Sequence, residues 1–169
     1  MILNPLKPEK GETGYDGFKK IKGIKIGALT NKNGLTLSVF IPLANIHDSK
    51  LYYSIIGKVK IKLPLGAPIT RPSWVNGDIA FDSKEIRNYN RRRGIRSNIP
   101  INSRNTKRKK RGRPRKLDRE IYRERNAVER FFSWIEAYKK ICPRYERSES
   151  SYLGIATLSC IMVLWRVLG

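Results

Sequence analysis

Thiols are scarce in this sequence. Its 169 residues include only two cysteines, Cys142 and Cys160. Two cysteines exclude a disulfide framework, and they do not form the ligand spacing of a metal finger. We therefore expect both to be buried or unreactive thiols.

Acidic residues are scarce as well. The chain has 14 Asp and Glu against 36 Lys and Arg, which gives a formal net charge of +22. Because so much charge of one sign repels itself, it indicates a polyanionic partner, and we predict nucleic acid. A ribosomal RNA-binding protein would carry the same excess, and an anionic membrane would also attract it. The charge therefore fixes the sign of the partner and not its identity.

Long apolar runs are few. The first residues, MILNPLKPEKGETGYDG, lack a positive leader followed by an apolar core, so we expect no secretory signal and a cytoplasmic, nucleoid-associated location. The most apolar segment, residues 152–168, is interrupted by Thr157, Ser159 and Arg166. It is also shorter than the roughly twenty residues of a usual membrane span. We predict a buried core helix there and no membrane partner.

Short strands and helices are predicted in the first hundred residues. Two β-leaning runs, 24–29 and 35–43, flank Asn33-Gly34, which is a strong hairpin signal. Polar residues precede a short helix over 51–56, and we expect His47 and Asp48 to cap it rather than to form a general-base pair. A strand over 74–78, a helix from near Asp82 or Ser83 and a strand over 97–101 follow.

A basic loop and a long helix are predicted next. Residues 104–116, RNTKRKKRGRPRK, hold nine basic residues in thirteen and no acid, which predicts a solvated loop. Asp118 is then a candidate N-cap for a helix that begins near Arg119 and ends before Pro143.

Three side chains of that helix suggest chemistry. Tyr122, Arg125 and Glu129 follow one another at spacings of three and four, so they share a face. Glu129 could ligate a divalent metal together with Asp78, which follows Gly77 at the end of a predicted strand. The ordinary alternatives are an ion pair between Glu129 and Arg125, and a turn or cap role for Asp78.

A family resemblance bears on these alternatives. The ordered segments VNGDIAFDSKEIRNYNRRRGI, RGRPRK and YRERNAVERFFSWIEAYKKICPRYERSESSYLGIATL resemble the catalytic core of insertion-sequence transposases of the DDE type, over about residues 11–168. The resemblance implies an α/β fold of RNase H-like type, with a mixed sheet flanked by helices. It also implies that three acids bind two Mg²⁺ or Mn²⁺ ions, which activate water or a 3′-hydroxyl for attack on DNA at the ends of a mobile element.

The resemblance also implies residue roles. Asp78 and Glu129 match two catalytic metal ligands, while Tyr122 and Arg125 would orient Glu129 and contact phosphate. Glu136 stands where the family has a lysine. This departure puts in doubt whether the residue at this position contacts the DNA at the end of the mobile element. The other candidate DNA-binding residues are the arginines of two basic runs and one tryptophan: Arg91, Arg92, Arg93, Arg111, Arg113, Arg115 and Trp134. The tryptophan lies on the same predicted helix as Glu129, and its ordinary alternative is a place in the core.

The family's first catalytic aspartate has no counterpart. It would precede GETGYDG, where residues 1–10 hold no acid except Glu9, and neither Asp16 nor Asp48 lies at the expected place. We therefore expect residues 1–10 to be non-homologous or disordered and residues 11–169 to be a partial, truncated catalytic domain without its first strand. Such a chain would bind DNA, as a homodimer or otherwise, without cutting it. The alternatives are a non-catalytic basic DNA-binding remnant and an RNA-binding ribosomal-type protein, which would not explain the Tyr, Arg and Glu spacing.

The segment RGRPR, residues 111–115, also resembles the core of an AT-hook, which lies in narrow minor grooves. We favour a basic linker that neutralises phosphates without reading the groove. This interpretation predicts equal affinity for A·T-rich and G·C-rich duplexes of one length, measured by fluorescence anisotropy over a salt series. Tighter binding to the A·T-rich duplex that Gly112→Ala abolishes would contradict it.

Overall fold

The computed structural model of the chain describes residues 13–17, 20–105, 116–138, 141 and 148–168. Within these residues, six short strands and five α-helices follow one another, with single 3₁₀ turns at Ile79–Phe81 and Ser103–Asn105. In chain order they are β1 (Gly14–Asp16), β2 (Ile21–Gly23), β3 (Gly27–Thr30), β4 (Thr36–Phe40), α1 (Asp48–Gly57), β5 (Trp74–Asn76), α2 (Lys84–Arg92), β6 (Arg96–Asn98), α3 (Arg119–Arg123), α4 (Asn126–Glu136) and α5 (Glu149–Leu168).

The strands form three pairs. β1 pairs with β2 and β3 with β4, both antiparallel, while β5 and β6 are parallel. The predicted α/β class is confirmed. The single mixed sheet is not found: within the described ranges the strands form three separate two-stranded sheets.

The predicted hairpin is confirmed. Its turn is held by Asn31, whose Oδ1 accepts hydrogen bonds from the N–H groups of Asn33 and Leu35 at 3.0 and 2.9 Å. Gly34 has a φ of 88°, a conformation that residues with a Cβ rarely adopt. A Cβ there would also lie 3.1 Å from the Trp134 ring.

The capping prediction for the first helix is also confirmed. His47 is the N-cap of α1, and its Nδ1 accepts a hydrogen bond from the Ser49 N–H at 3.2 Å. The helix ends at Gly57, as predicted.

The next elements are shorter than predicted. β5 ends at Asn76 instead of Asp78, and β6 covers Arg96–Asn98 instead of 97–101. The helix start is confirmed, since Ser83 caps α2 by accepting from the Ile86 N–H at 3.1 Å.

The prediction of one long helix from Arg119 to Pro143 is wrong. Asp118 caps the first turn as expected, but the helix divides into α3 and α4, and α4 ends at Glu136. The cause is a tightened turn, in which Glu124 and Arg125 donate to carbonyls only three residues back.

Apolar clusters cover both faces of β3. Ala28 packs in a cluster with α4 and α5, around Phe131, whereas Leu29 packs against the clusters that include Tyr52 and Ile55 of α1. Because adjacent residues of a strand point to opposite faces, α4 and α5 lie on one side of β3 and α1 lies on the other.

The last helix is only half buried. One face of α5 joins the core through Tyr152, Ala156, Cys160 and Val163. The opposite face exposes apolar side chains, among them Leu158, Ile161, Met162 and Trp165. The prediction of a core helix therefore holds for one face, and by length and composition alone α5 could cross a membrane.

The prediction of buried or unreactive thiols can be compared with the structure for one of the two cysteines. Cys160 is buried, and its burial raises the pKa of the thiol, which keeps it protonated and unreactive. Cys142 lies outside the described residues.

The core cluster makes a stability prediction. Phe131 is fully buried, so Phe131→Ala should lower the free energy of unfolding by about 3–5 kcal/mol through lost contacts and a cavity. Leu158→Ala on the exposed face of α5 is the matched control, with an expected change below about 0.5 kcal/mol. Urea unfolding at fixed salt measures both, and equal losses would contradict this description of the core.

Candidate functional site

One guanidinium joins the two carboxylates predicted as a pair. Arg125 Nη1 lies 3.5 Å from Asp78 Oδ2, and Arg125 Nη2 lies 3.8 Å from Glu129 Oε1. The structure therefore brings Asp78 and Glu129 to the same place, although they come from distant parts of the chain. The side chains are 31%, 51% and 43% exposed for Arg125, Asp78 and Glu129, so the site is open to solvent.

The tyrosine of the predicted face completes this group. The Arg125 guanidinium carbon lies 5.4 Å from the centre of the Tyr122 ring, a distance typical of a cation–π contact. Tyr122, Arg125 and Glu129 therefore contact one another in series, as their spacing predicts, even though the helix is interrupted between α3 and α4.

The ordinary roles of both acids are also present. Asp78 caps the 3₁₀ turn at Ile79–Phe81, where its Oδ1 accepts from the Ile79 N–H at 3.1 Å. Its second oxygen, Oδ2, faces Arg125. Glu129 is the i,i+4 partner of the same arginine. Each carboxylate thus makes a structural contact and still lies near the other carboxylate.

A buried amide network fixes the position of α3 relative to the strands. Asn98 is 3% exposed, and its Nδ2 donates to Asn76 Oδ1 and to the Asp118 carbonyl, both at 2.9 Å. Its Oδ1 accepts from the Asp118 N–H at 3.0 Å. Asn76 in turn donates to the Ile121 carbonyl at 2.8 Å. These bonds tie the strand that precedes Asp78 to the helix that precedes Arg125.

A cavity of about 410 Å³ adjoins Asp78. Asp78 and Arg125 line it, together with Glu124, whereas Glu129 is not among its lining residues. Sequence reasoning did not single out Glu124. The signal was available, because Ile121, Glu124, Arg125 and Val128 follow a helical spacing and all four line the cavity.

The oxygen atoms of Asp78 and Glu129 can be compared with the ligands that a divalent cation requires. Mg²⁺ is bound in proteins through one or two carboxylates, with waters and substrate phosphates supplying the other oxygens. Asp78 and Glu129 fit the carboxylate share of one such ion. Within the residues that the structure describes, no group of three Asp, Glu, His or Cys side chains is assembled, so the three-acid, two-metal arrangement is not found there.

The predicted DNA-binding arginines differ in their surroundings. Arg91 and Arg92 are exposed on the last turn of α2. Arg93 is more constrained, since it donates to the Tyr89 hydroxyl at 2.7 Å and to the Thr70 carbonyl at 3.2 Å. The other three, Arg111, Arg113 and Arg115, lie outside the described residues.

The Trp134 side chain packs against neighbouring residues rather than projecting into solvent. It is partly buried against the cluster around Phe131, and its ring lies beside the hairpin turn at Gly34. Its role as a DNA contact stays a prediction.

Known proteins give an independent comparison. The sequence profile of the family described as "Transposase DDE domain" matches residues 3–164. A Burkholderia cepacia protein assigned as a transposase for insertion sequence element IS402 is 26% identical over 163 residues, which is 96% of this chain and 71% of that protein. A Brucella ovis protein assigned likewise for element IS6501 is 27% identical over 92 residues, 54% of this chain and 67% of that protein. No solved structure gives a significant match.

The contacts predict that the amide network, and not the ion pairs, holds the site in place. Asn98→Ala should lower the free energy of unfolding by about 2–3 kcal/mol, because it removes three hydrogen bonds from a side chain that is 3% exposed. Arg125→Ala should lower it by less than about 1 kcal/mol, because exposed ion pairs stabilise weakly. Chemical denaturation measures both, and a larger loss for Arg125→Ala would contradict this ranking.

Proposed function

The chain belongs to the family of transposases with a DDE domain, and from this premise we propose that it takes part in metal-dependent cleavage and transfer of DNA strands at the ends of a mobile element. The proposal is carried by one observation, the meeting of Asp78 and Glu129 on the Arg125 guanidinium. Two carboxylates beside each other repel unless a cation lies between them. A site with this geometry can therefore receive a divalent ion.

Asp78 and Glu129 would hold Mg²⁺ or Mn²⁺. When bound, such an ion would polarise a phosphodiester and activate the attacking water or 3′-hydroxyl. Arg125 holds the two carboxylates together, and Tyr122 supports the guanidinium from its ring face. Since Arg125 is partly exposed, it can turn from the carboxylates to a DNA phosphate when a metal ion neutralises them.

The fold that we propose for this site is RNase H-like. Support comes from the antiparallel β3–β4 hairpin, the parallel β5–β6 pair and helices packed on both faces of β3. Asp78 follows β5 after one intervening residue, Gly77, and Glu129 lies on α4, so the end of a strand and a helix supply the two acids.

We propose further that the chain alone binds DNA without cutting it. Two metal ions need more carboxylates than Asp78 and Glu129 provide. Asp16 and Asp48 do not supply a further ligand, because each lies 3.5 Å from Lys25 Nζ in a separate ion-pair cluster at the start of α1. The chain's net charge of +22 supplies affinity for DNA in either case.

A second candidate function is a non-catalytic DNA-binding protein derived from a transposase. The observation that favours it is the same arginine, since Arg125 already neutralises much of the charge on Asp78 and Glu129. In both readings DNA is the partner, and a cytoplasmic, nucleoid-associated location and a homodimer on DNA remain predictions.

Metal binding separates the two functions. If Asp78 and Glu129 ligate an ion, Glu129→Gln should weaken Mn²⁺ binding at least tenfold, because it removes one of two anionic ligands. Electron paramagnetic resonance of free Mn²⁺ measures the affinity of the full chain. Glu136→Gln is the matched control, since Glu136 is exposed at the end of α4 and should leave Mn²⁺ affinity unchanged. Equal affinities for the wild type and Glu129→Gln would contradict the metal role.

A nicking assay tests the inactivity of the chain alone. We expect the chain to retard a supercoiled plasmid in a gel but not to nick it in Mg²⁺ or Mn²⁺, because no group of three metal-ligating side chains is assembled within the described residues. Nicking that Glu129→Gln abolishes and Glu136→Gln preserves would overturn this expectation.

A further inference from the structure

A hairpin arm, residues 59–71, projects from the body of the protein between α1 and β5. Its two sides are joined by a main-chain bridge, in which the Ile61 N–H donates to the Ile69 carbonyl and the Ile69 N–H donates to the Ile61 carbonyl, both at 2.9 Å. Every residue over 61–70 is exposed. The arm is therefore not packed into the body, and both of its sides are open to a partner.

The tip of the arm has no polar side chain. Residues 63–69, LPLGAPI, are apolar throughout, and Leu65 at the turn is 89% exposed. Gly66 has a φ of 95°, which allows a tight reversal of the chain, while Pro64 and Pro68 restrict the backbone on either side. Single exposed leucines are common on protein surfaces, but an apolar patch that is contiguous marks a contact surface.

The flanks of the tip are basic. Lys60 and Lys62 are exposed on one side of the arm, and Arg71 is exposed at the end of the other side. The sequence has no Asp or Glu between Asp48 and Asp78. An arm with positive flanks and an apolar tip matches a ligand that is anionic outside and apolar inside. Duplex DNA has this arrangement, with phosphates outside and stacked bases inside.

The base of the arm is fixed to the end of α2. Arg93 Nη2 donates to the Thr70 carbonyl at 3.2 Å, and Arg71 Nη1 donates to the Arg93 carbonyl. On the other side of the arm, Val59 is buried. Because both sides are anchored, a force on the tip is transmitted to the body of the protein instead of folding the arm back.

We propose that this arm is a wedge that bends duplex DNA, an inference that rests on the proposed function for the identity of the partner. Leu65 enters between two base pairs from the minor groove, and Lys60 and Lys62 contact the neighbouring phosphates. Apolar side chains that enter a base step in this way unstack it and kink the duplex by about 20–90°. The tip has no side-chain donor or acceptor for base edges, so it selects steps only by how easily they deform.

An anionic membrane is the competing partner, because it also has charge outside and an apolar interior. Proteins that anchor at the membrane interface typically use Trp and Tyr there. Residues 57–73 contain neither of them. Membership of the transposase family also favours DNA.

The arm leads directly to the candidate site. Pro72 and Trp74, which follow the arm, line the cavity that adjoins Asp78. The nine residues from Ile69 to Asp78 span at most about 32 Å when extended, which is about one turn of B-DNA. A kink made by the arm therefore falls on the same duplex that the site holds.

Energy transfer between dyes at the two ends of a duplex of about 20 base pairs measures the bend. The full chain at saturation should raise the transfer efficiency about 1.5-fold or more, as expected for a kink in this range. Leu65→Ala should abolish most of that rise and still bind the duplex within about twofold, because phosphate contacts supply the affinity. Leu158→Ala, at an exposed leucine of α5, is the matched control and should bend DNA like the wild type.

The lysines of the arm should affect affinity instead. The double variant Lys60→Ala, Lys62→Ala should bind more weakly and reduce the slope of log affinity against log salt by about two, because two phosphate contacts are lost. An unchanged bend in Leu65→Ala, or an unchanged salt slope in the double variant, would overturn the wedge while DNA binding by the chain stands. Binding to phosphatidylserine vesicles that depends on Leu65, without any bend in DNA, would assign the arm to a membrane. A chain that binds no duplex at all would overturn the proposed function as well.

Discussion

The site depends on one shared cation. Asp78 and Glu129 would repel each other if they were brought together alone, and the Arg125 guanidinium between them removes that penalty. A divalent ion would neutralise the same two carboxylates, because it carries more charge than the guanidinium in a smaller volume. Under the proposed function, Arg125 would act as a placeholder for the metal, and it would become available to a DNA phosphate once the metal had taken its position.

The ion pairs alone could not determine where these side chains meet, because they are exposed and stabilise weakly. The amides of Asn98, which is buried, and of Asn76, which is half-buried, determine it. They bind the backbone at Asp118 and Ile121, and so fix the helices of Arg125 and Glu129 to the strand that leads to Asp78. The side chains of the candidate site thus lie on the surface, and the hydrogen bonds that position them lie beneath.

Local signals predicted much of this arrangement. The turn at Asn33-Gly34, the caps at His47, Ser83 and Asp118, and the contacts of Tyr122, Arg125 and Glu129 all depend on residues a few positions apart, and all are present. The break between α3 and α4, the division of the sheet and the role of Asn98 were not predicted. The division of the sheet and the role of Asn98 depend on contacts between distant segments, and the sequence indicated Asn98 only as one residue of the strand over 97–101. The break is a locally tightened turn, and no glycine or proline in residues 119–126 signals it. Glu124 could have been found from its helical spacing.

Anomalous diffraction from a crystal of the full chain soaked in Mn²⁺ tests the central claim most directly. The account predicts one manganese peak in contact with carboxylate oxygens of both Asp78 and Glu129, with the Arg125 guanidinium displaced from between them. A manganese peak away from this pair, or an Arg125 side chain that still bridges the two acids in saturating Mn²⁺, would contradict it.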